Sequence, residues 1–121
     1  MQPGQIGWID LTVEDAPRLR DFYRDVAGWG AEEHSMGDYA DFVMKAGDTA
    51  VGGVCHARGA NEDQPSGWMI YIVVEDLDKS LEACGAGGGK VRVPIRSMGG
   101  EGRFAVIEDP SGSVCALYEA S

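Results

Sequence analysis

Two stretches of the chain alternate apolar and polar residues in the way that β-strands with one buried face do. The first covers residues 8–13 and the second covers residues 69–74. Each leads into the tripeptide Val-Glu-Asp, at 13–15 and at 74–76, and the offset of 61 residues is close to half of the 121-residue chain. The repeat predicts two tandem copies of one structural unit.

A helical pattern follows each copy of the tripeptide. After Asp15 the apolar residues fall on one helical face, and Asp15 and Gly28 are suited to begin and end that helix. These apolar residues are Ala16, Leu19, Phe22, Tyr23 and Val26. After Asp76 a shorter apolar stripe runs until the glycine cluster at 85–89. Each copy is therefore predicted to place one helix directly after its first strand.

Each predicted helix is followed by short strand candidates separated by turn residues. They lie near 30–35, 38–45 and 49–55 in the first half and near 90–96, 102–108 and 113–119 in the second half. Both halves thus have the order βαβββ. Residues 57–66 contain no hydrophobic residue larger than alanine and form the predicted linker. We expect a single α+β domain over 1–121, with module one at 4–56, the linker at 57–66 and module two at 67–121.

The alternation in the two opening strands also predicts which side chains face the helices. Ile9, Leu11 and Val13 match the first helical stripe, and residues 70, 72 and 74 match the second. The residues between them belong to the opposite face, namely Trp8, Asp10, Thr12, Met69, Tyr71 and Val73. Because this set includes an aspartate and a tyrosine, we expect that face to be partly in contact with water, as the wall of a ligand cavity is.

Charge and cysteine usage narrow the classes of partner. Ten Lys and Arg against twenty Asp and Glu give a formal charge of −10, which repels phosphate backbones and anionic lipids. Nucleic acid and membranes are therefore not expected partners, and no stretch approaches the apolar length of a membrane helix. The three cysteines are an odd number without a CxxC pair, which favours reduced thiols and a cytoplasmic location.

Three sequence segments together resemble the glyoxalase, bleomycin-resistance and extradiol-dioxygenase superfamily, also called vicinal oxygen chelate proteins. They are Trp8-Ile9-Asp10-Leu11-Thr12-Val13-Glu14-Asp15 with the following Phe22-Tyr23 and Gly28-Trp29, the repeated Val74-Glu75-Asp76, and Gly88-Gly89-Lys90-Val91 with Gly102-Arg103-Phe104 and Asp109-Pro110-Ser111-Gly112. The resemblance implies two βαβββ modules that form a cup-shaped, eight-stranded mixed sheet around a cavity, with the helices on the outer face. It also implies a homodimer.

In the metal-dependent members of that superfamily, each module supplies one ligand from its first strand and one from its last. The matching first-strand positions are Trp8 and Met69, or Ile9 if the register shifts by one, and the last-strand positions are Gly53 and Ala116. None is a usual ligand of a divalent cation. The two histidines lie elsewhere, at 34 and 56. We therefore expect no metal cofactor and none of the activities that need one.

The resulting hypothesis is a metal-free protein that binds a small aromatic or cationic molecule in the cavity between the modules. Side chains on the cavity face could contact the ligand through rings, a thioether, hydroxyls or charge. The candidate residues are Trp8, Asp10, Thr12, Met69, Tyr71, Arg103 and Tyr118. For each, a structural role is the alternative: core packing for Trp8 and Met69, structural hydroxyls for the tyrosines and threonine, and a surface salt bridge for Arg103.

Two other functions stay open at the level of sequence. One is a lyase or isomerase related to lactoylglutathione lyase, with a rebuilt metal site or with metal-free acid and base chemistry by Asp10 and Tyr71. The other is a partner-binding protein whose cavity is filled by its own side chains. The sequence gives no catalytic residue that would decide between them.

Overall fold

The structure is a computed structural model that describes residues 2–121. Eight strands and two helices follow one another in the order β1 (Ile6–Val13), α1 (Ala16–Ala27), β2 (Gly30–Ser35), β3 (Ala40–Ala46), β4 (Thr49–His56), β5 (Trp68–Val73), α2 (Leu77–Ala86), β6 (Lys90–Ser97), β7 (Arg103–Glu108) and β8 (Val114–Glu119). Two single 3₁₀ turns, at Gly59–Asn61 and Gly99–Glu101, complete the chain. The two βαβββ modules predicted from the repeat are confirmed.

The ends of the helices have the chemistry that the sequence predicts. The Asp15 carboxylate accepts the N–H of Arg18 at 3.2 Å, which satisfies one of the unpaired donors of the first turn of α1. Gly28 ends that helix with φ +73°, a conformation that glycine adopts without steric cost. The Asp76 carboxylate caps α2 in the same way, through the N–H of Lys79. Over residues 2–121, neither helix has the length and hydropathy of a membrane-crossing segment.

The starts of β1 and β3 each differ from the prediction by two residues, whereas the other strand ends differ by at most one. Strand β3 begins at Ala40 instead of 38, because the N–H of Met36 donates to the carbonyl of Tyr39 at 2.8 Å and closes a turn over these residues. Gly37 supports the turn with φ +101°. The predicted linker also contains the short 3₁₀ turn at Gly59–Asn61, which no hydrophobic pattern marks.

The chain divides into two compact units, and Ile9–Trp68 form the first, called the α1 unit. Its strand order is β2-β3-β4-β1, with β1 parallel to β4 and the other pairs antiparallel. Helix α1 packs on one face of these strands over a core of Ala16, Phe42, Met44 and Val54. Val13 packs against this core, as the alternation in β1 predicts.

Residues 2–8 and Met69–Ser121 form the second compact unit, called the α2 unit. Its strand order is β5-β8-β7-β6, with β5 parallel to β8, and the chain entering β1 bonds to Val73 of β5. Helix α2 packs over Leu77, Ala105 and Leu117. The eight strands form a mixed sheet, and together with the two helices they confirm the α+β class.

Candidate functional site

The strand face of the α1 unit that points away from α1 is polar. In the parallel pairing of β1 and β4, Asp10 lies opposite Gly53 and Thr12 lies opposite Cys55. These positions alternate with Val54, which belongs to the core under the helix, so they lie on the other face. Both Thr12 and Cys55 are buried. The structure thus brings together two of the predicted residues, Asp10 and Thr12, on one face with a thiol.

The Cys55 thiol has two carboxylates beside it. Burial raises the pKa of this thiol far above its ordinary value, and the neighbouring Asp10 and Asp41 raise it further. Asp41 is only 5% exposed, and its Oδ1 accepts the backbone N–H of His56 at 2.8 Å. The Nδ1 of His56 lies 3.3 Å from the same oxygen, and the side chain of His56 is 17% exposed. The thiol therefore stays protonated at neutral pH.

The Thr12 side chain lacks the usual compensation for a buried hydroxyl. It is 6% exposed, and its Oγ1 has no hydrogen-bond partner among residues 2–121. Buried polar atoms in native proteins are nearly always paired, so such an atom calls for an explanation. A ligand that hydrogen-bonds to the hydroxyl would supply one.

The strand face of the α2 unit that points away from α2 is apolar and aromatic. Met69 and Tyr71 are each 5% exposed on β5, and Tyr71 lies opposite Ala116 of β8. The ring of Tyr71 lies 6.0 Å from the ring of Phe104 in a tilted arrangement. Val106 pairs with Ala116 from the other side, which continues the apolar surface. The predicted residues Met69 and Tyr71 therefore lie on a face suited to flat, apolar groups.

Tyr118 shares this face, since it pairs with Val73 and with Phe104. Its hydroxyl donates to the backbone carbonyl of Glu101. That hydrogen bond ties β8 to the 3₁₀ turn before β7, so the hydroxyl has a structural partner in addition to any role toward a ligand.

Arg103 lies on the opposite face of its strand, under α2. Its Nε donates to Glu119 at 2.8 Å, and its terminal nitrogen donates to Asp78 of α2 at 2.9 Å. Glu119 in turn accepts the N–H of Leu77 at the start of α2. The Arg103 guanidinium and the N–H of Leu77 lower the pKa of Glu119 to about 2. Glu119 and Asp78 in turn raise the pKa of Arg103. Arg103 thus joins α2 to β7 and β8 in an ion-pair network.

Trp8 is half-buried in β1 and alternates with Asp10 along the strand. Together with Met69, Gly53 and Ala116 it is one of the positions where the resemblance implies metal ligands in the metal-dependent members. An indole, a thioether, a glycine and an alanine do not fit a divalent cation, which proteins hold with His, Cys, Asp or Glu. Within the described part of the chain, no three side chains of those four types come together as a metal site.

Two polar residues with buried side-chain atoms were not singled out by the sequence. Asp41 lies in β3 among apolar neighbours, and only the pairing of β3 with β4 places its carboxylate beside Cys55. Gln64 lies in the polar segment after β4, and both its amide atoms are buried without a partner among residues 2–121. No periodicity marks either residue, so the sequence holds no signal that would have found them.

Comparison with known proteins gives a consistent result. The model of the Glyoxalase/Bleomycin resistance protein/Dioxygenase superfamily matches residues 5–117. CFP32 of Mycobacterium tuberculosis, named as a candidate glyoxylase, is 30% identical over 98% of this chain and 46% of its own length. The anthracycline biosynthesis protein DnrV of Streptomyces peucetius is 29% identical over 96% of this chain and 47% of its own. The chain therefore spans about half the length of these curated relatives.

Solved structures show the same fold. Methylmalonyl-CoA epimerase from Mycobacterium tuberculosis superposes with a TM-score of 0.60 over 100% of this chain and 93% of its own. The identity is 16%, so the likeness concerns the fold alone.

Proposed function

Because this chain belongs to the Glyoxalase/Bleomycin resistance protein/Dioxygenase superfamily, we propose that it binds a small aromatic or cationic molecule and needs no divalent metal to do so. One observation carries the proposal. The resemblance to metal-dependent members implies ligand positions at Trp8, Met69, Gly53 and Ala116, and none of these residues is a usual ligand of a divalent cation.

The charge of the protein supports a cationic ligand. The chain has a formal charge of −10, which raises the local concentration of cations and repels anions. Asp10 and Asp41 add two carboxylates to the polar strand face of the α1 unit. Arg103, for which the sequence left a ligand contact and a salt bridge open, forms ion pairs with Glu119 and Asp78.

The aromatic side chains support a planar ligand. Met69, Tyr71 and Phe104 provide a thioether and two rings on one strand face, and such groups pack well against flat, apolar molecules. The similarity to a protein named for anthracycline biosynthesis points the same way, since anthracyclines are polycyclic aromatic molecules.

The state of the buried thiol favours binding over covalent catalysis. Cys55 has a strongly raised pKa and lies beside carboxylates, the reverse of the electropositive environment that activates a cysteine nucleophile. The buried thiol therefore supports recognition through charge, rings and hydrogen bonds over covalent catalysis by Cys55.

Calorimetric titration of the metal-depleted protein tests this proposal. We use 1-methylquinolinium as an aromatic cation and 2-naphthalenesulfonate as an aromatic anion of similar size. The cation is expected to bind without added metal and at least about tenfold more tightly than the anion, a difference of about 1.4 kcal/mol. Equal affinity for both would contradict the role of charge, and binding that requires an added metal would contradict the proposal as a whole.

A pair of matched variants then tests the named carboxylate. Asp10→Asn removes the charge from the strand face, whereas Asp25→Asn removes one from an exposed position on α1. The first is expected to weaken binding of the cation several-fold and the second to leave it nearly unchanged. The same small loss in both variants would show that only the overall charge matters.

We further propose that the chain forms a homodimer and works in the cytoplasm. The three cysteines are free thiols, with Cys55 buried, which suits a reducing compartment. Light scattering during gel filtration is expected to give twice the 12.9 kDa of one chain. A mass of one chain at all concentrations would contradict the dimer.

A further inference from the structure

A cavity lies entirely within the α1 unit, where β1 ends and α1 begins. Its volume is about 750 Å³, which is within the usual range for sites that bind small molecules. We call it the Gln64 cleft, and the residues that line it include Thr12, Val13, Leu19 and Gln64. The cleft is therefore built from the end of a strand, the first turn of a helix and the segment after β4.

The polar atoms of the Gln64 cleft are the reason to regard it as a site. Within residues 2–121, the buried side-chain nitrogen and oxygen atoms without a hydrogen-bond partner are Oγ1 of Thr12 and both amide atoms of Gln64. All of them belong to residues that line this one cleft. Because folded proteins pair nearly all buried polar groups, their concentration at one cavity points to a ligand that pairs them.

The amide of Gln64 defines what that ligand must present. A carboxamide offers a donor and an acceptor side by side, and its complement is a group with an acceptor and a donor in the same arrangement. Another carboxamide satisfies this requirement, and the Thr12 hydroxyl adds a partner that can donate or accept. Gln64 follows Asp63, the non-glycine residue that adopts a positive φ, +62°, among residues 2–121.

The charge at the Gln64 cleft selects the sign of the ligand. Glu14, Asp15, Glu62 and Asp63 supply four carboxylates and Arg18 supplies one guanidinium, so the formal charge of the lining is −3. The Asp15 carboxylate accepts the N–H of Arg18 at 3.2 Å, and this hydrogen bond holds it at the N-terminus of α1. Such a lining attracts cations and repels anions.

We propose that the Gln64 cleft binds a small cation carrying a carboxamide, whose amide pairs with Gln64 and Thr12 while its positive charge lies among the carboxylates. The inference rests on the proposed function for the ligand class, a small cationic molecule. It adds a place of binding separate from the strand faces of Asp10 and Tyr71, and the chemical group that is recognised there. The aliphatic side chains of Val13 and Leu19 supply the apolar contact for the body of the ligand.

Three related probes separate charge from amide recognition. 1-Methylnicotinamide carries both the positive charge and the carboxamide, N-methylpyridinium carries only the charge, and nicotinamide carries only the carboxamide. In calorimetric titrations of the whole chain, we expect 1-methylnicotinamide to bind at least about tenfold more tightly than either of the others. If N-methylpyridinium binds equally well, amide recognition is wrong, and if nicotinamide binds equally well, charge selection is wrong.

Variants of the two unpartnered residues locate the site. Gln64→Leu removes the amide at similar size and Thr12→Val removes the hydroxyl, whereas Gln2→Leu changes an exposed glutamine outside the cleft. Gln64→Leu is expected to weaken the binding of 1-methylnicotinamide at least about tenfold, and Thr12→Val about threefold to tenfold. Gln2→Leu should leave this affinity unchanged. Affinity for N-methylpyridinium should be unchanged in all three, which would show that a loss in Gln64→Leu is not a folding defect.

The outcomes also distinguish this inference from the proposed function. Unchanged affinity of both Gln64→Leu and Thr12→Val for 1-methylnicotinamide would overturn the inference, while leaving the proposed function intact. Failure of 1-methylnicotinamide in a protein that binds 1-methylquinolinium would do the same. If neither cation binds, the proposed function and the inference are both wrong.

Discussion

Replacing Thr12 by valine should stabilise the protein in the absence of ligand. The substitution exchanges a hydroxyl for a methyl group of nearly the same shape, at a position that is only 6% exposed. The hydroxyl oxygen is buried and has no hydrogen-bond partner among residues 2–121, so the folded protein loses no hydrogen bond. The substitution instead removes the unfavourable free energy of burying a hydroxyl without a hydrogen bond.

The size of the effect follows from these contacts. An unpaired buried polar group costs about 1–3 kcal/mol, and one additional buried methyl group contributes up to about 0.8 kcal/mol. Because Thr12 lines a cleft, we take the lower part of this range and expect a gain of about 1–2 kcal/mol. With an unfolding entropy of about 2.1 cal/mol/K per residue, 121 residues convert this into an increase in Tm of about 4–8 °C.

Urea unfolding and calorimetry of the ligand-free protein measure this change directly. Thr49→Val is the matched control, because Thr49 is exposed at the start of β4, and its effect should stay within about 0.5 kcal/mol. A loss of 1 kcal/mol or more in Thr12→Val would mean that the hydroxyl makes a hydrogen bond in the folded protein. That result would refute both the stability argument and the reason for placing a ligand at this residue.

Three further predictions concern the thiols, an ion pair and a turn. Iodoacetamide at pH 8 should label Cys84 first and Cys55 last, because burial and two carboxylates raise the pKa of Cys55. Peptide mass spectrometry measures the order of labelling, and rapid labelling of Cys55 would contradict its burial. The folded pKa of Glu119 is about 2, so its stabilising effect is present above its ordinary pKa of 4.5 and is lost as the pH falls toward 2. Urea unfolding of Glu119→Gln between pH 5 and pH 2 should therefore show a weaker pH dependence than the original protein, and identical curves would exclude this ion pair. Gly102→Ala should lose more than about 1 kcal/mol of unfolding free energy, because φ is +113° and the new Cβ would collide with the carbonyl of Glu119, whereas Gly100→Ala, with open space around it, should not.

The features that the sequence predicts well are those that depend on neighbouring residues. Helix caps at Asp15 and Asp76 and the alternation in β1 and β5 are local, and the repeated tripeptide places both modules in the same order. Arg103 is a residue whose position could not be predicted from its neighbours in the sequence. Its face and its partners depend on the pairing of β7 with β8 and on the position of α2, which no local pattern reveals.

The candidate ligand residues follow the same division. Asp10 and Thr12 lie on the predicted face because strand alternation is a local property. The carboxylate of Asp41 and the amide of Gln64 reach their positions through strand pairing and through a segment without periodicity. The identity of a strand face could thus be predicted from the sequence, whereas the positions of Asp41 and Gln64 required the structure.

The central claim is that the chain binds an organic cation without a metal, and one sample can test it. Elemental analysis of protein purified without an affinity tag is combined with thermal-shift titrations of nickel, zinc, manganese, iron(II) and 1-methylquinolinium. We predict no stoichiometric metal, no stabilisation by the four metals and a clear increase in Tm with the organic cation. About one equivalent of bound metal, with stabilisation by metal and none by the cation, would contradict the account and favour a metal-dependent lyase.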